Sequence, residues 1–500
     1  MNSEAVYHAF ELLGRSWTPW LVVIPGLIAG LVGGAIPGLS GVMVLALLLP
    51  LTIHMDLFTA LMFMTAMFTG AGFGSSIPGI LMGLPGSTSA VAATFDGFPM
   101  TKNGYHNEAL GLSLVASVVG LIGSYLFLLL LITWLADAVL RLGPLEQLMI
   151  VFWGLTMMAS VSGNNVRRGL LAGLFGVLLG TVGTSLLGYH RGTLGFETLK
   201  DGVSPIPALM GLLACSGLYD LMHQKYVVER ESDRKVSFGR IFAGMRQAFT
   251  YPIVLLRGSV IGVLIGVLPG IGASISNLIA YAQTKRYDKN PESFGKGNPK
   301  GVVAADAANS SSEGGSLGTL FALGIPGGGG TAVLLSAFTL HGVMVGPRFV
   351  ATNGEMVYAL IFANIIQGLL LIVVGLLLLR VILIMIKIPV LYLVPGVFVL
   401  AIYGAYITTS DISGPLTLVL CSLLGWVMTK YDYPVAATVV GLLLGGMAED
   451  SLIQVSQLTA GFRWQFISDR PIALLLFIMI VAVLAYRPAL SLWQHQRGLS

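Results

Sequence analysis

The chain has 500 residues, of which 55% are hydrophobic and only 10% charged, with a net charge of +4 and a mean hydropathy of +0.85. A soluble domain carries about 25% charged residues, so most of this apolar surface needs lipid as its solvent. The mild charge, with no basic patch interleaved with aromatics, argues against nucleic-acid binding, and the two cysteines, Cys215 and Cys421, sit in apolar stretches as packing residues and not as a disulfide or metal site.

Residues 1–16 are mixed polar, with Glu4, Glu11 and Arg15, and lack the pattern of a signal peptide, so the apolar run from Trp17 is expected to be a retained helix. A spanning helix needs about 20 apolar residues. The candidate spans are 17–36, 41–53, 57–82, 109–133, 145–161, 167–187, 205–222, 251–268, 356–386, 389–407, 412–429, 434–448 and 471–490. Several are too short to cross alone. The pattern predicts an all-α polytopic membrane protein with about ten to twelve crossings.

Between the halves, His223 to Gln247 forms the longest charged linker, with Lys225, Arg230, Arg234, Lys235, Arg240 and Arg246. The positive-inside rule places it in the cytoplasm. The expected organisation is a first membrane repeat (1–222), a cytoplasmic basic linker (223–250), and a second membrane repeat with C-terminal helices (251–500).

The halves share motifs in the same order. GLVGGAIPGLSG holds Gly30, Gly34, Pro37, Gly38 and Gly41; GVLIGVLPGIGA holds Gly262, Gly266, Pro269, Gly270 and Gly272. LMGLPGSTSA, with Pro85 and Gly86, is then matched by ALGIPGGGGT, with Pro326 and Gly327. An internal duplication follows. Each Pro-Gly interrupts an apolar run: proline removes a helical hydrogen bond, and glycine lets the chain turn. In lipid the freed backbone groups need protein, water or ligand as partners, and broken helices paired across two repeats are a pointer to a transporter site. Close helix packing through G-x-x-x-G also accounts for Gly30/Gly34 and Gly262/Gly266. Basic residues flank the Pro269 break on both sides, from the linker before it to Lys285, Arg286, Lys289, Lys296 and Lys300 after it, whereas the loop Thr52 to Asp56 has none. That asymmetry favours two repeats of inverted topology with Pro-Gly-broken hairpins.

Two segments are candidates for an anion site. Pro85 and Gly86 precede Ser87, Thr88 and Ser89, and Pro326 and Gly327 precede Gly328, Gly329, Gly330 and Thr331. A helix beginning after each break offers free N–H groups to a carboxylate, hydroxyls add donors, and ordinary N-capping would use the same atoms. For a cation, the segment 301–315, GVVAADAANSSSEGG, supplies Asp306, Asn309, Ser310, Ser311, Ser312 and Glu313. Hard cations prefer such oxygens. The candidate cation residues are Pro37, Gly38, Ser40, Pro269, Gly270, Asp306, Asn309 and Ser310, with a solvated loop as the competing interpretation of 301–315. Asp96 is expected in a loop, Arg257 deep in an apolar run or snorkelling from it, Arg167 and Arg168 in an interfacial turn, and Glu449 and Asp450 in a loop. No H-E-x-x-H or Walker loop is present, which argues against an enzyme or a nucleotide-driven pump.

PGLSG (37–41), ALLLPLT (46–52), SSIPGILMGLPGSTSAVAATFDGFPMTKNG (75–104), RGSVIGVLIGVLPGIGA (257–273), FGKGNPKGVVAADAAN (294–309) and LGIPGGGGTAVLLSAF (323–338) occur in order along the chain. Together they resemble the large membrane subunit of the tripartite tricarboxylate transporter family. The resemblance implies a multi-pass protein of the bacterial inner membrane working with a small membrane subunit and a periplasmic substrate-binding protein. It implies import of a tricarboxylate or related small carboxylate, driven by a cation gradient, commonly Na+ with H+ as the other option, and no further cofactor. The family typically has a glutamate and paired asparagines where this chain has Asp306, Asn309 and Ser310, and a less glycine-rich stretch than Gly327 to Gly330. The alternative function is a passive anion channel.

Overall fold

A computed structural model of the protein describes residues 3–36, 40–83, 86–139, 143–161, 166–185, 188–221, 236–268, 272–385, 390–459 and 470–481. In chain order its helices are α1 (Ser3–Arg15), α2 (Thr18–Leu21), α3 (Val23–Ala35), α4 (Gly41–Leu48), α5 (Leu57–Gly74), α6 (Ser76–Met82), α7 (Val91–Lys102), α8 (His106–Val139), α9 (Pro144–Val161), α10 (Val166–Gly180), α11 (Pro205–Leu209), α12 (Ser216–Leu221), α13 (Phe238–Ala248), α14 (Pro252–Gly266), α15 (Gly272–Arg286), α16 (Pro299–Leu323), α17 (Gly329–Leu340), α18 (Pro347–Thr352), α19 (Gly354–Met385), α20 (Val390–Thr409), α21 (Ser413–Lys430) and α22 (Val435–Thr459). Two-residue strands β1 (Gly183–Thr184) and β2 (His190–Arg191) pair antiparallel. The protein is all-α and polytopic. Six helices among the described residues are long and apolar enough to cross a bilayer, or seven if the bent pair α13–α14 is one span. Shorter apolar helices, including Gly41–His54 and Gly329–Leu340, lie where the sequence places interrupted spans.

The chain divides into two units, Met1–Ala136 with Ile206–Trp426, and Asp137–Pro205 with Val427–Ser500. In the second unit α10 and α22 pack backbone to backbone. A Cβ on Gly176 would lie 2.1 Å from Thr438 O, and one on Gly180 would lie 2.2 Å from Leu442 O. Small residues permit this approach, which supplies helix association where no hydrophobic effect acts between lipid-embedded helices. Glu449 and Asp450 belong to α22 and not to a loop, and Glu449 pairs with Arg191. Arg167 and Arg168 fall in the first turn of α10, where Arg168 reaches Asp432 at 3.3 Å.

In the first unit the matched glycine motifs make matched contacts. Cβ atoms on Gly30 and Gly34 of α3 would lie 1.9 Å from Met67 O and 2.9 Å from Ala71 O of α5. Those on Gly262 and Gly266 of α14 would lie 2.3 Å from Ala308 O and 2.4 Å from Ser312 O of α16. The reverse contact is duplicated too: Gly74 meets Leu31 O at 2.5 Å and Gly315 meets Val263 O at 2.4 Å. One shift of 232 residues relates α3 to α14, and one of 241 relates α5 to α16, across all three contacts. The helix α6, which follows α5, and α16 itself end alike, in left-handed glycines: Gly83 at φ 75°, ψ 10°, and Gly324 at φ 70°, ψ 13°. Glycine adopts this conformation without the steric cost that a Cβ brings.

Two segments of this unit differ from the sequence expectation. Residues 301–315 are neither a loop nor solvated: they form the middle of α16, buried from Gly301 to Ala322. Their small and hydroxylated residues lack the hydropathy of a span, yet surrounding helices bury them. Asp96 is not in a loop but inside α7 and fully buried. Its Oδ1 accepts from the backbone N–H of Gly295, Gly297 and Asn298 at 2.8, 2.9 and 2.8 Å, and its Oδ2 from Tyr281 OH at 2.9 Å. Of the basic linker, residues 223–235 lie outside the described residues. Its second half is α13, held on α8 by Gly111 against Ile241 O and by an Arg240–Glu108 pair at 2.7 Å.

Candidate functional site

The helices α5 and α16, which receive the matched glycine contacts of α3 and α14, lie against each other in opposite directions. Ser76 Oγ, just past α5, donates to Asp306 Oδ1 at 2.6 Å. Asn309 Nδ2 donates to Gly72 O at 3.1 Å. Thr69 Oγ1 donates to Glu313 Oε1 at 2.8 Å. As the number falls from 76 through 72 to 69 on one helix, it rises from 306 through 309 to 313 on the other. Glycines carry the closest approaches of α3 to α5 and of α14 to α16, so this third face can be lined by polar groups. The result is a hydroxyl- and carboxylate-rich seam inside a chain that is elsewhere apolar. α8 closes one side of it: Tyr125 OH donates to Glu313 Oε1 at 2.8 Å, and the Ser113 hydroxyl lies against Asp306.

Around the seam each repeat's Pro-Gly turn meets the other repeat's hairpin. Asn277 Nδ2 on α15 donates to Ser89 O at 2.5 Å. The start of α17 sits on the first repeat, with Gly329 against Val42 of α4 and Gly330 against Phe68 of α5. The two turns are built alike. Gly86 presses on Ser75 and Gly327 on Ser316, residues related by the same shift of 241, and a Cβ at either glycine would come within about 3 Å of that serine.

Of the anion candidates, Ser87 is extended and its Oγ lies 2.7 Å from Ser89 Oγ; Thr88 is exposed, and Gly86 is buried. Pro326, Gly327, Gly330 and Thr331 are buried, with Gly328 and Gly329 half-buried. Thr331 Oγ1 folds back on Gly328, accepting from its N–H and donating to its carbonyl, both at 3.0 Å, so this hydroxyl serves the turn itself. Of the cation candidates, Asp306, Asn309 and Ser310 lie together on the seam, with Ser310 Oγ 3.6 Å from where a Cβ on Gly72 would lie. Ser40 caps α4, accepting from Met43 N–H at 3.3 Å. Pro37, Gly38, Pro85, Pro269 and Gly270 lie outside the described residues. Arg257, half-buried on α14, has its guanidinium 5.1 Å from the Tyr287 ring. Among the described residues no group of three or more His, Cys, Asp or Glu side chains could hold a metal ion.

The sequence marked Thr69 to Ser76 only as a polar, uncharged counterpart of 301–315, and it did not point to Tyr125 or Asn277, because a single hydroxyl or amide inside an apolar run carries no local signal. It offered Glu313 only as part of a polar stretch, since its value as a site depends on contacts from α5 and α8.

Glycine-packed helices around a buried polar seam define a polytopic helical membrane protein. The chain belongs to the tripartite tricarboxylate transporter TctA family, whose model matches residues 20–440. Membership makes it the large subunit of such a transporter. It is similar to an uncharacterized 52.8 kDa protein in the TAR-I ttuC' 3' region of Agrobacterium vitis, 28% identical over 465 residues, covering 92% of this chain and 91% of that one. An uncharacterized protein in the TAR-II ttuC' 3' region of the same organism is 29% identical over 223 residues, covering 45% of this chain and 92% of its own. No solved structure matches.

Proposed function

We propose that this chain is the transmembrane path of a binding-protein-dependent secondary transporter that imports a tricarboxylate or related small carboxylate down a cation gradient. In this reading the backbone and hydroxyls at Gly86–Ser89 and Gly327–Thr331 receive the carboxylate. A cation, Na+ or H+, is held along the seam near Asp306, Asn309 and Ser310 and lowers the cost of bringing an anion into a low-dielectric site. A periplasmic binding protein delivers the solute, a small membrane subunit completes the complex, and the whole sits in the bacterial inner membrane. The repeats are inverted, related by an axis in the membrane plane.

One observation carries the proposal. Helices equivalent by duplication, α5 and α16, run antiparallel with Ser76 on Asp306 and Thr69 on Glu313. Repeats related by an axis along the membrane normal would keep equivalent helices parallel, so the antiparallel pair supports inverted topology with the polar residues at its crossing. The test is uptake of radiolabelled citrate and of a panel of dicarboxylates into proteoliposomes holding this chain with its two partners. The expected result is accumulation that follows an imposed Na+ or H+ gradient, together with counterflow exchange. Conduction without counterflow assigns the chain to passive anion channels, and no accumulation of any of these acids rejects the proposal.

A further inference from the structure

Glu313 lies in the middle of α16 and is 4% exposed. Three helices surround it. From α5, Thr69 donates to its Oε1; from α8, Tyr125 donates to the same oxygen, both at 2.8 Å. From α14, the backbone at Val263 and Gly266 packs on the adjoining Gly315 and Ser312. The α5 helix has no titratable residue. On α8 the other titratable residues, His106, Glu108 and Asp137, belong to its two ends, far along the helix from Tyr125. On α14 the one charge, Arg257, lies by Tyr287. On α16 itself Asp306 is two turns away on Ser76, and Lys300, near the helix start, is paired with Asp288 at 2.5 Å. Among the described residues, then, no cation faces Glu313.

An ionised carboxylate buried without a counter-charge is costly, by several kcal/mol even after relaxation. Two hydroxyl donors lower that cost and leave the charge in place. The hydroxyls also present the wrong polarity for a metal ion, because they converge as donors on one oxygen and do not offer lone pairs to a shared centre. A neutral acid fits the arrangement: Oε1 is its carbonyl oxygen, accepting from Thr69 and Tyr125, and Oε2 carries the hydrogen. Resting on the transport reading above, we propose that Glu313 is the group that binds and releases the proton to which carboxylate import is coupled. When the seam is closed Glu313 holds the proton as an O–H bond on Oε2. When water reaches the seam that bond breaks, the proton passes to water, and the carboxylate that remains is stabilised by hydration together with its two hydroxyl donors.

Infrared difference spectroscopy on the purified full chain decides the chemistry without any transported solute. At neutral pH the wild type is expected to show the carbonyl band of a protonated carboxyl group that is absent from Glu313→Gln. Tyr125→Phe is expected to keep the band and shift it, since one donor to its carbonyl is gone. Adding Na+ is expected to leave the band in place. Identical wild-type and Glu313→Gln spectra in this region, or a band abolished by Na+, overturn the proposal. In proteoliposomes in which the wild type exchanges radiolabelled citrate, Glu313→Gln is expected to retain counterflow and lose accumulation driven by a pH gradient; retained pH-driven accumulation overturns it. A wild type that does not exchange citrate counts against the transport reading, while the infrared bands still decide whether Glu313 holds a proton.

Discussion

Replacing Asp96 by Ala tests whether the loop before α16 is held by one buried carboxylate. That carboxylate receives three backbone N–H groups on Oδ1 and the Tyr281 hydroxyl on Oδ2, with no exposure of its own. Two of those N–H groups belong to Gly295 and Gly297, at φ 83° and 104°. The glycines let successive N–H groups turn toward one point, as in an anion-binding nest. A hydrogen bond to a charged group contributes about 1.5–3 kcal/mol, and a buried donor left unpaired costs about 1–3 kcal/mol. Tyr281 is buried and incurs the full penalty, while the three N–H groups are partly reached by water, so Asp96→Ala should cost about 4–6 kcal/mol. Asp96→Asn keeps Oδ1 for the three N–H groups, loses the charge and, with its NH2 in place of Oδ2, makes the Tyr281 hydroxyl accept instead of donate, for about 1–2 kcal/mol. In detergent the thermal midpoint of the purified chain should fall by about 5–10 °C for Asp96→Ala and by a few degrees for Asp96→Asn. Equal losses for the two variants, or a midpoint for Asp96→Ala indistinguishable from wild type, would refute the reasoning.

Other expected outcomes follow from single contacts. Gly30→Ala and Gly262→Ala place a methyl 1.9 Å from Met67 O and 2.3 Å from Ala308 O, so each should lower folded yield, while Gly446→Ala, in open space on α22, should not. Overpacking of this kind costs about 1–3 kcal/mol or more, whereas an exposed helical glycine replaced by alanine gains up to about 1 kcal/mol; size-exclusion profiles compare the three. Asp288, in the loop between α15 and α16, has its carboxyl held below the usual value chiefly by the hydrogen bond from Lys300. A lowered value in the folded state stabilises above the unfolded value and is lost as pH falls through the folded one, so Lys300→Ala should reduce thermal stability at neutral pH and match wild type in acid. Asn309→Ala removes an amide from the seam and should raise the cation concentration needed for half-maximal uptake by about tenfold or more; unchanged cation activation removes Asn309 from the site.

The matched helix contacts were legible because their marks are local. Gly30, Gly34 and the Pro-Gly at 85 recur as Gly262, Gly266 and the Pro-Gly at 326, and the glycines of those marks are the residues that let backbones touch. The buried middle of α16 was not legible as a helix of the core. Asp306, Asn309, three serines and Glu313 in a row have the composition of a loop, and only tertiary packing makes them helical and buried. Asp96 was missed for a related reason. Followed by Gly97 and Pro99 it looks like a turn, but Pro99 sits within α7 and the acid is satisfied by a loop some 200 residues away. Acids at the end of an apolar run gave the same error at Glu449, whose pairing with Arg191 lets α22 continue past it.

The crossing of α5 on α16 places two equivalent positions side by side. The shift of 241 that carries Thr69 to Ser310 also carries Gly72 to Glu313, so the contact of Thr69 with Glu313 has its twin in the contact of Gly72 with Ser310. One twin has an acid and the other has only a hydroxyl and a bare α-carbon. The scaffold is nearly two-fold; its chemistry is not. For a solute carried along the seam as proposed, the acidic twin and the hydroxyl twin come in an order fixed by the gene, and reversing the direction of travel reverses that order.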